Sequence, residues 1–483
     1  MKKQAHQIAV TIGITFMFWL VGCGSQNSAV STPPQTSPPV STQPSAPPPA
    51  LPSAAPATGI LLMRATPPTG VTVLSFFITV TSGLLEPGDV ELIRHPVSVE
   101  LSRLQVESSL LSSITIPNGN YTSISFGFAN PMLTILNDSG SAIASCAAGS
   151  ICQLTPALTN SSITLSGQSF PIESTNDNPP VLLVEFDLSR SLANLSSVTP
   201  VVTIQQLTPE IPNLATVNVK QATGSIVYTG GDDVVDGAFL NLSTAAGTIG
   251  RIDDSDALYV DATLCRLFMC VDGKIAVADL QFENVTEKVT RWEARRITLD
   301  SPNLGEIEGV IVAIDNESQF DMVLLNQGPS AVGLMNGEKV RINIQPRAII
   351  ECADTSAIGL VPNSTGLLFS SPGDLLVGQV VSARTVSDAT GTPRSITTDR
   401  VRLKSGAISA EFKSISSSNS FVVDGLPGNL AAAQIRVETW PNTSFNGLSS
   451  IVDLKPGDQV SLNGFLFKTG TDPILLTDGV RKR

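Results

Sequence analysis

Past residue 59 no stretch of this chain holds a 3.6-residue apolar repeat over four turns; short runs of period two take its place. Leu74, Phe76, Ile78 and Val80 alternate with smaller or polar residues, as in a strand with one buried face. Val97-Ser98-Val99-Glu100-Leu101 has the same pattern. Ile114-Thr115-Ile116, the turn-forming Pro117-Asn118-Gly119-Asn120, and Tyr121 to Phe126 read as strand, turn, strand. Val181 to Phe186 is a solid apolar run with one acid, expected to be a central strand. Leu101 to Leu111 is the best helix candidate. The expected fold is therefore all-β, opening with a β-sandwich over 59–212.

Beyond residue 217 the chain repeats itself. Pro372-Gly373-Asp374 parallels Pro456-Gly457-Asp458, and Thr390-Gly391-Thr392-Pro393 parallels Thr469-Gly470-Thr471-Asp472-Pro473. Thr398-Asp399-Arg400-Val401 then parallels Thr477-Asp478-Gly479-Val480, and upstream Ile314 to Val323 parallels Ile415 to Val423. These landmarks define units over 305–405 and 406–483, with a divergent copy over 217–304 and an insertion in the second unit near 353–370. Each unit runs from an opening strand and its partner to Val340-Arg341-Ile342-Asn343-Ile344 or Ile435-Arg436-Val437-Glu438. A Pro-Gly-Asp turn and a closing strand pair follow. Proline presets such a turn and glycine supplies positive φ, so Gly373 and Gly457 are expected to share one hairpin position.

Residue usage narrows the chemistry. The net charge is −13, and an acidic surface repels phosphate backbones, which argues against a nucleic-acid partner. Of two histidines, only His95 lies beyond the leader, so a multi-histidine zinc site is out of reach. A Ser-His-Asp or Cys-His nucleophile pair would have to use His95. It stands before Pro96 in Leu92-Ile93-Arg94-His95 and reads as a surface turn residue. Cys146 and Cys152 flank a five-residue loop, and Cys265 and Cys270 flank four residues. Both pairs read as disulfides, since neither has the spacing of a zinc site or of Cys-x-x-Cys. Cys352 is left over, buried or pairing elsewhere.

No cofactor or metal is expected. Asp232 heads an acidic run, but an EF-hand loop from there would need an oxygen ligand at Val234 and a glutamate at Ser243. Asp253-Asp254-Ser255-Asp256 reads as an acidic turn, with weak divalent binding alongside Asp261 as its alternative. No P-loop, Gly-x-Gly-x-x-Gly or Gly-x-Ser-x-Gly element occupies a strand-to-helix setting. Trp292 and Trp440 are the tryptophans beyond the leader. Trp440, after a strand, is either a loop platform for a sugar or a cover for a barrel end.

The leader supplies an address. Lys2 and Lys3 precede an uncharged run from Ile8 to Val21, too short for a transmembrane helix, so 1–22 reads as a signal peptide. Its end, Leu20-Val21-Gly22-Cys23, resembles the bacterial lipobox. That resemblance implies cleavage before Cys23, a lipid on its sulfur, and attachment to a membrane without spanning it. Gly24 and Ser25 follow with no aspartate, which points to the outer membrane, facing periplasm or exterior, if sorting resembles that of enteric bacteria. Residues 23–58 then form a tether: 24–58 hold ten prolines and no charge, a composition that favours extended polyproline II.

Two family resemblances add to this. The strand pair, the stretch at Leu101–Leu111, Gly119-Asn120-Tyr121-Thr122 and the closing 182–188 strand resemble a bacterial lipoprotein domain of unknown function over about 59–200. The repeats resemble a second envelope family of unknown function with small OB-like barrels. Together these features predict a non-enzymatic envelope lipoprotein, palmitate-bearing at Cys23, that binds or scaffolds a glycan or an envelope protein. The competing expectation is a carboxylate-based hydrolase of envelope polysaccharide, which would need two acids about 5–10 Å apart in one cleft.

Overall fold

The computed structural model describes residues 57–483 apart from 69, 176–178, 208–215, 229–238, 245–246, 254–257, 261–274, 285–289, 300–304, 328–332, 353–365, 388, 431 and 471. Cys23, the proline-rich segment, Cys265, Cys270 and the acidic runs at 232–236 and 254–256, with Asp261, lie outside the described residues.

Two sheets packed face to face make the N-terminal sandwich. One has the strand order Val202–Leu207, Val181–Asp187, Ala57–Thr66, Ser109–Ile116. The other runs Ser162–Ser166, Ser123–Leu136, Thr72–Glu86, Val90–Glu91, with Val97–Glu100 also on Thr72–Glu86. Phe76, Ile78 and Val80 face Met63, Leu182, Val184 and Phe186 across the core. The Phe186 ring meets Phe128 edge-on at 6.0 Å, a geometry aromatic quadrupoles favour. Val181–Asp187 is central, as its composition predicts, and it does not alternate because both of its faces are covered. Leu182 and Val184 point into the sandwich, while Val181 and Leu183 point into a second core shared with residues 217–299.

One local expectation is corrected. Leu101 to Leu111 is a series of turns followed by the strand Ser109–Ile116, not a helix. Leu101, Leu104 and Leu111 do face the core, but backbone bonds tie this stretch to other strands. Leu101 donates its N–H to the Phe76 carbonyl, and the Leu104 carbonyl accepts from Ala65. Both oxygens of the Glu100 carboxylate also accept backbone N–H groups, from Phe76, Ser102 and Arg103. Ile114–Ile116 and Tyr121–Phe126 are strands on either side of a turn, as expected. They pair in different sheets, so Pro117–Asn120 carries the chain across the sandwich. The Tyr121 hydroxyl fixes that crossing by donating to the Pro117 carbonyl at 2.8 Å.

Cys146 and Cys152 are bridged, with Cα atoms 5.7 Å apart. Closing so short a loop restricts the unfolded chain by about 2 kcal/mol. Replacing both with alanine should therefore lower the sandwich's stability by about that amount in thermal unfolding, and alkylation without reduction should leave both residues of the native protein unlabelled. Cys352 is buried in the core of the second ring.

The C-terminal half consists of five-stranded rings. The second ring comprises Glu306–Asn316, Gln319–Gln327, Lys339–Cys352, Val380–Thr385 and Ser395–Lys404. The third comprises Gly406–Ser417, Ser420–Asp424, Ile435–Asn446, Gln459–Phe467 and Ile474–Lys482. Each closes in the order first, second, third, fifth, fourth, with the third and fifth strands parallel, the ring order of an OB-like barrel. The strands of 216–299 pair in the same order, Gly247–Asp253 closing in parallel on Thr290–Leu299.

The alignment of the Pro-Gly-Asp triplets is overturned. Pro372-Gly373-Asp374 forms a 3-10 turn, whereas Pro456-Gly457-Asp458 is the turn before the fourth strand of the third ring. The position equivalent to Gly457 (φ 92°) is Gly378 (φ 95°), 79 residues earlier. That same offset relates Thr390 to Thr469, Thr398 to Thr477, and the 3-10 turn Pro372–Asp374 to Ile451–Asp453. In both 3-10 turns an aspartate, Asp374 or Asp453, accepts the N–H of the preceding serine, Ser371 or Ser450. Triplet identity misleads here because proline-glycine suits two different tight turns a few residues apart.

Candidate binding cleft between the sandwich and the rings

The sandwich and the last two rings meet through charges and apolar side chains drawn from distant parts of the chain. Arg481, on the last strand of the third ring, donates to Glu185 Oε1 at 2.7 Å, and Arg64 of the sandwich donates to Oε2 at 2.6 Å. Arg481 also donates to the Gln105 carbonyl at 3.1 Å. Burial opposes the charge on Glu185, but the Arg64 and Arg481 guanidiniums outweigh it and hold the carboxyl below its ordinary value. Arg103 donates to Glu308 of the second ring and lies 3.4 Å from Glu100. Burial disfavours the Arg103 charge, yet the carboxylates of Glu308, Glu100 and Glu107 raise its pKa overall. Asn463 bridges Glu107 of the sandwich and Asp478 of its own ring at 2.7 and 2.8 Å. Leu74 packs beside these contacts on Val310, Val323, Leu325 and Val380 of the second ring.

Arg103, Leu74, Val310, Leu325 and Val380 also line a cleft of about 420 Å³, within the usual size range of small-molecule sites. The sandwich contributes Thr72, Arg103 and Asp138, the second ring Val310 and Gly378, and the third ring Asn429, Gln459 and Arg483. One wall is pinned by a relay in which Gly428 donates its N–H to Thr72 Oγ1 at 2.9 Å and Thr72 donates to Asp138 Oδ2 at 2.7 Å. The lining also includes Arg483, an exposed residue. Its Nε donates to Ser461 Oγ at 3.1 Å and its Nη2 to the Val460 carbonyl at 3.2 Å. Burial around the guanidinium, then the charge of Arg481, pull its pKa down to about 10. No carboxylate among the described residues pairs with it. Among the described residues lining the cleft, Asp138 is the one carboxylate.

The sequence candidates fall elsewhere. His95 is exposed in a bend on the sandwich, away from the cleft lining. Trp292 is buried in the core that the first ring shares with the sandwich. Trp440 stacks on Phe465 with ring centroids 6.0 Å apart and planes 1° from parallel, and it packs against the core of the second ring. Its ring covers a barrel end and is not an open sugar platform. Phe465, Phe467, Ile474 and Leu476, on the fourth and fifth strands of the third ring, pack beside it into the core of the second ring. Among the described residues no three His, Cys, Asp or Glu side chains gather as a metal site. Arg483, Asp138 and Asn429 escaped the sequence reading because no motif or spacing links residues so far apart in the chain.

No family model, no curated protein and no solved structure matches the chain. The two family resemblances accordingly bear on function only through the residues that carry them.

Proposed function

We propose that this chain is a non-catalytic binding and scaffolding module of a bacterial cell envelope, tethered to a membrane through lipid on Cys23. The observation that carries the binding role is the composite cleft, whose walls come from the sandwich and two closed rings joined by ion pairs. A site shared by three units is preorganised, since its geometry is set before a ligand arrives. Leu20-Val21-Gly22-Cys23 and the proline-rich stretch support the tether. The partners are the membrane, through the anchor, and a glycan or envelope protein at the cleft.

Cys23→Ser tests the tether. Acylation needs the thiol, so this variant should incorporate no labelled palmitate and should leave the membrane fraction. Unchanged incorporation would sink the assignment.

A further inference from the structure

We infer that a second copy of this chain docks on the sandwich edge strand Ser162–Ser166, the two copies of that strand pairing antiparallel about a two-fold axis at Thr164. The inference goes beyond the binding role of the cleft and does not depend on it.

Charge selects the surface. From Ser139 to Ile172 the chain carries no Asp, Glu, Lys, Arg or His, although charged residues make up 15% of the whole and the net charge is −13. Two such acidic molecules repel each other over much of their surface. An uncharged face is where a second copy approaches without that cost. Burial would be the ordinary reason for an uncharged stretch, yet most of this one is exposed. Its strands Ile151–Leu154 and Ser162–Ser166 both pair with Ser123–Leu136, on the side away from Thr72–Glu86. The segment therefore lines one edge of that sheet.

Backbone phase and register then name the occupant. Phe128 donates its N–H to the Ser161 carbonyl at 2.8 Å. In an antiparallel ladder of that phase Ile163 and Leu165 use their backbone groups on Ser123–Leu136, while Ser162, Thr164 and Ser166 direct theirs outward. No described strand pairs with that outward side. Native edges are blunted by lysine, proline or a bulge, and Ser162–Ser166 has none of these. A copy of the same strand, turned about Thr164, sets Thr164 against the partner's Thr164 and Ser162 against the partner's Ser166. Each such pair exchanges both backbone bonds. The same register sets the half-buried Ile163 against the partner's Leu165, extending the apolar face that both residues already pack on the sandwich core. On the opposite face hydroxyls meet hydroxyls, and no like charges are opposed.

The test is disulfide trapping and sedimentation equilibrium on the full chain in density-matched detergent. Cα atoms of a hydrogen-bonded antiparallel pair stand about 5.5 Å apart, inside the range a disulfide spans. With copper phenanthroline as oxidant, Thr164→Cys should give a covalent dimer above the wild-type background. Ser162→Cys should not, since its own copy lies four residues out of register, about 14 Å away. Mixing it with Ser166→Cys should restore the cross-link. Wild type should show a dimer whose share rises with concentration. Thr164→Lys, at an exposed position, should keep its melting temperature and weaken association at least about tenfold by opposing like charges. Thr164→Val should associate as wild type does. Equal trapping of Thr164→Cys and Ser162→Cys, undiminished association of Thr164→Lys, or a wild type monomeric at every concentration would each overturn the inference.

Discussion

Glu185→Ala is expected to cost about 2–3 kcal/mol and to split one unfolding transition into two. The substitution strands Arg64 and Arg481 together, one on each side of the junction between the sandwich and the third ring. Breaking a fully buried pair costs about 3–5 kcal/mol. The lower figure applies because Glu185 keeps 22% of its side-chain surface and the solvent screens part of the loss. Differential scanning calorimetry should show the third ring melting ahead of the sandwich, whereas Glu185→Gln, which keeps the shape and some hydrogen bonds, should fall between. A single unshifted transition in Glu185→Ala would mean that the pair does not couple the two units. The same carboxylate sets an acid limit. Its folded pKa lies below the ordinary 4.5, so its contribution is present above that value and disappears as pH falls through the lower folded one. Wild type should lose junction stability on acidification below about pH 4.5, and Glu185→Ala should lack that component.

Gly378→Val should destabilise more than Gly457→Val, although both residues hold the same backbone conformation. At φ 95° and 92° a β-branched side chain costs about 1–2 kcal/mol in either place. At Gly457 nothing lies within 4 Å of an added Cβ, so the backbone cost is the whole effect. At Gly378 the Cβ would stand 2.1 Å from Leu430 Cδ2, and displacing that packed side chain adds about 1–3 kcal/mol. Urea denaturation should resolve the difference, and Leu430→Ala should recover much of it in a double-mutant cycle. Equal costs at the two glycines would show that the joint between the rings is not packed as described. Leu430 also lines the cleft, so this substitution should disturb ligand binding where its Gly457 counterpart does not.

Much of the fold was legible because alternation and turn chemistry are local. Leu74 to Val80 could bury one face only as a strand, and the loop between Cys146 and Cys152 was short enough to bridge. Register was less legible. Two Pro-Gly-Asp triplets matched by eye and belonged to different turns, because proline and glycine state a local bend without stating which strand follows. The candidate site was not legible at all. Arg481 and Glu185 are 296 residues apart, and an arginine that ends a strand looks the same whether its partner is water or a buried acid.

The sequence by itself determined that this chain is all-β, that it opens with a sandwich and that its later part recurs, since period-two burial and turn residues specify each strand from its own neighbours. Tertiary structure decided what each strand faces. Phe465 and Phe467 alternate with Leu466 as any two-faced strand does, yet only the packed rings show that one face fills its own barrel while the other seals the second ring. The cleft arose in the same way, where the sandwich meets two closed rings and Arg481 pairs with Glu185 across the joint. Alternation tells which side chains share a face; it holds no information about the surface that comes to meet them.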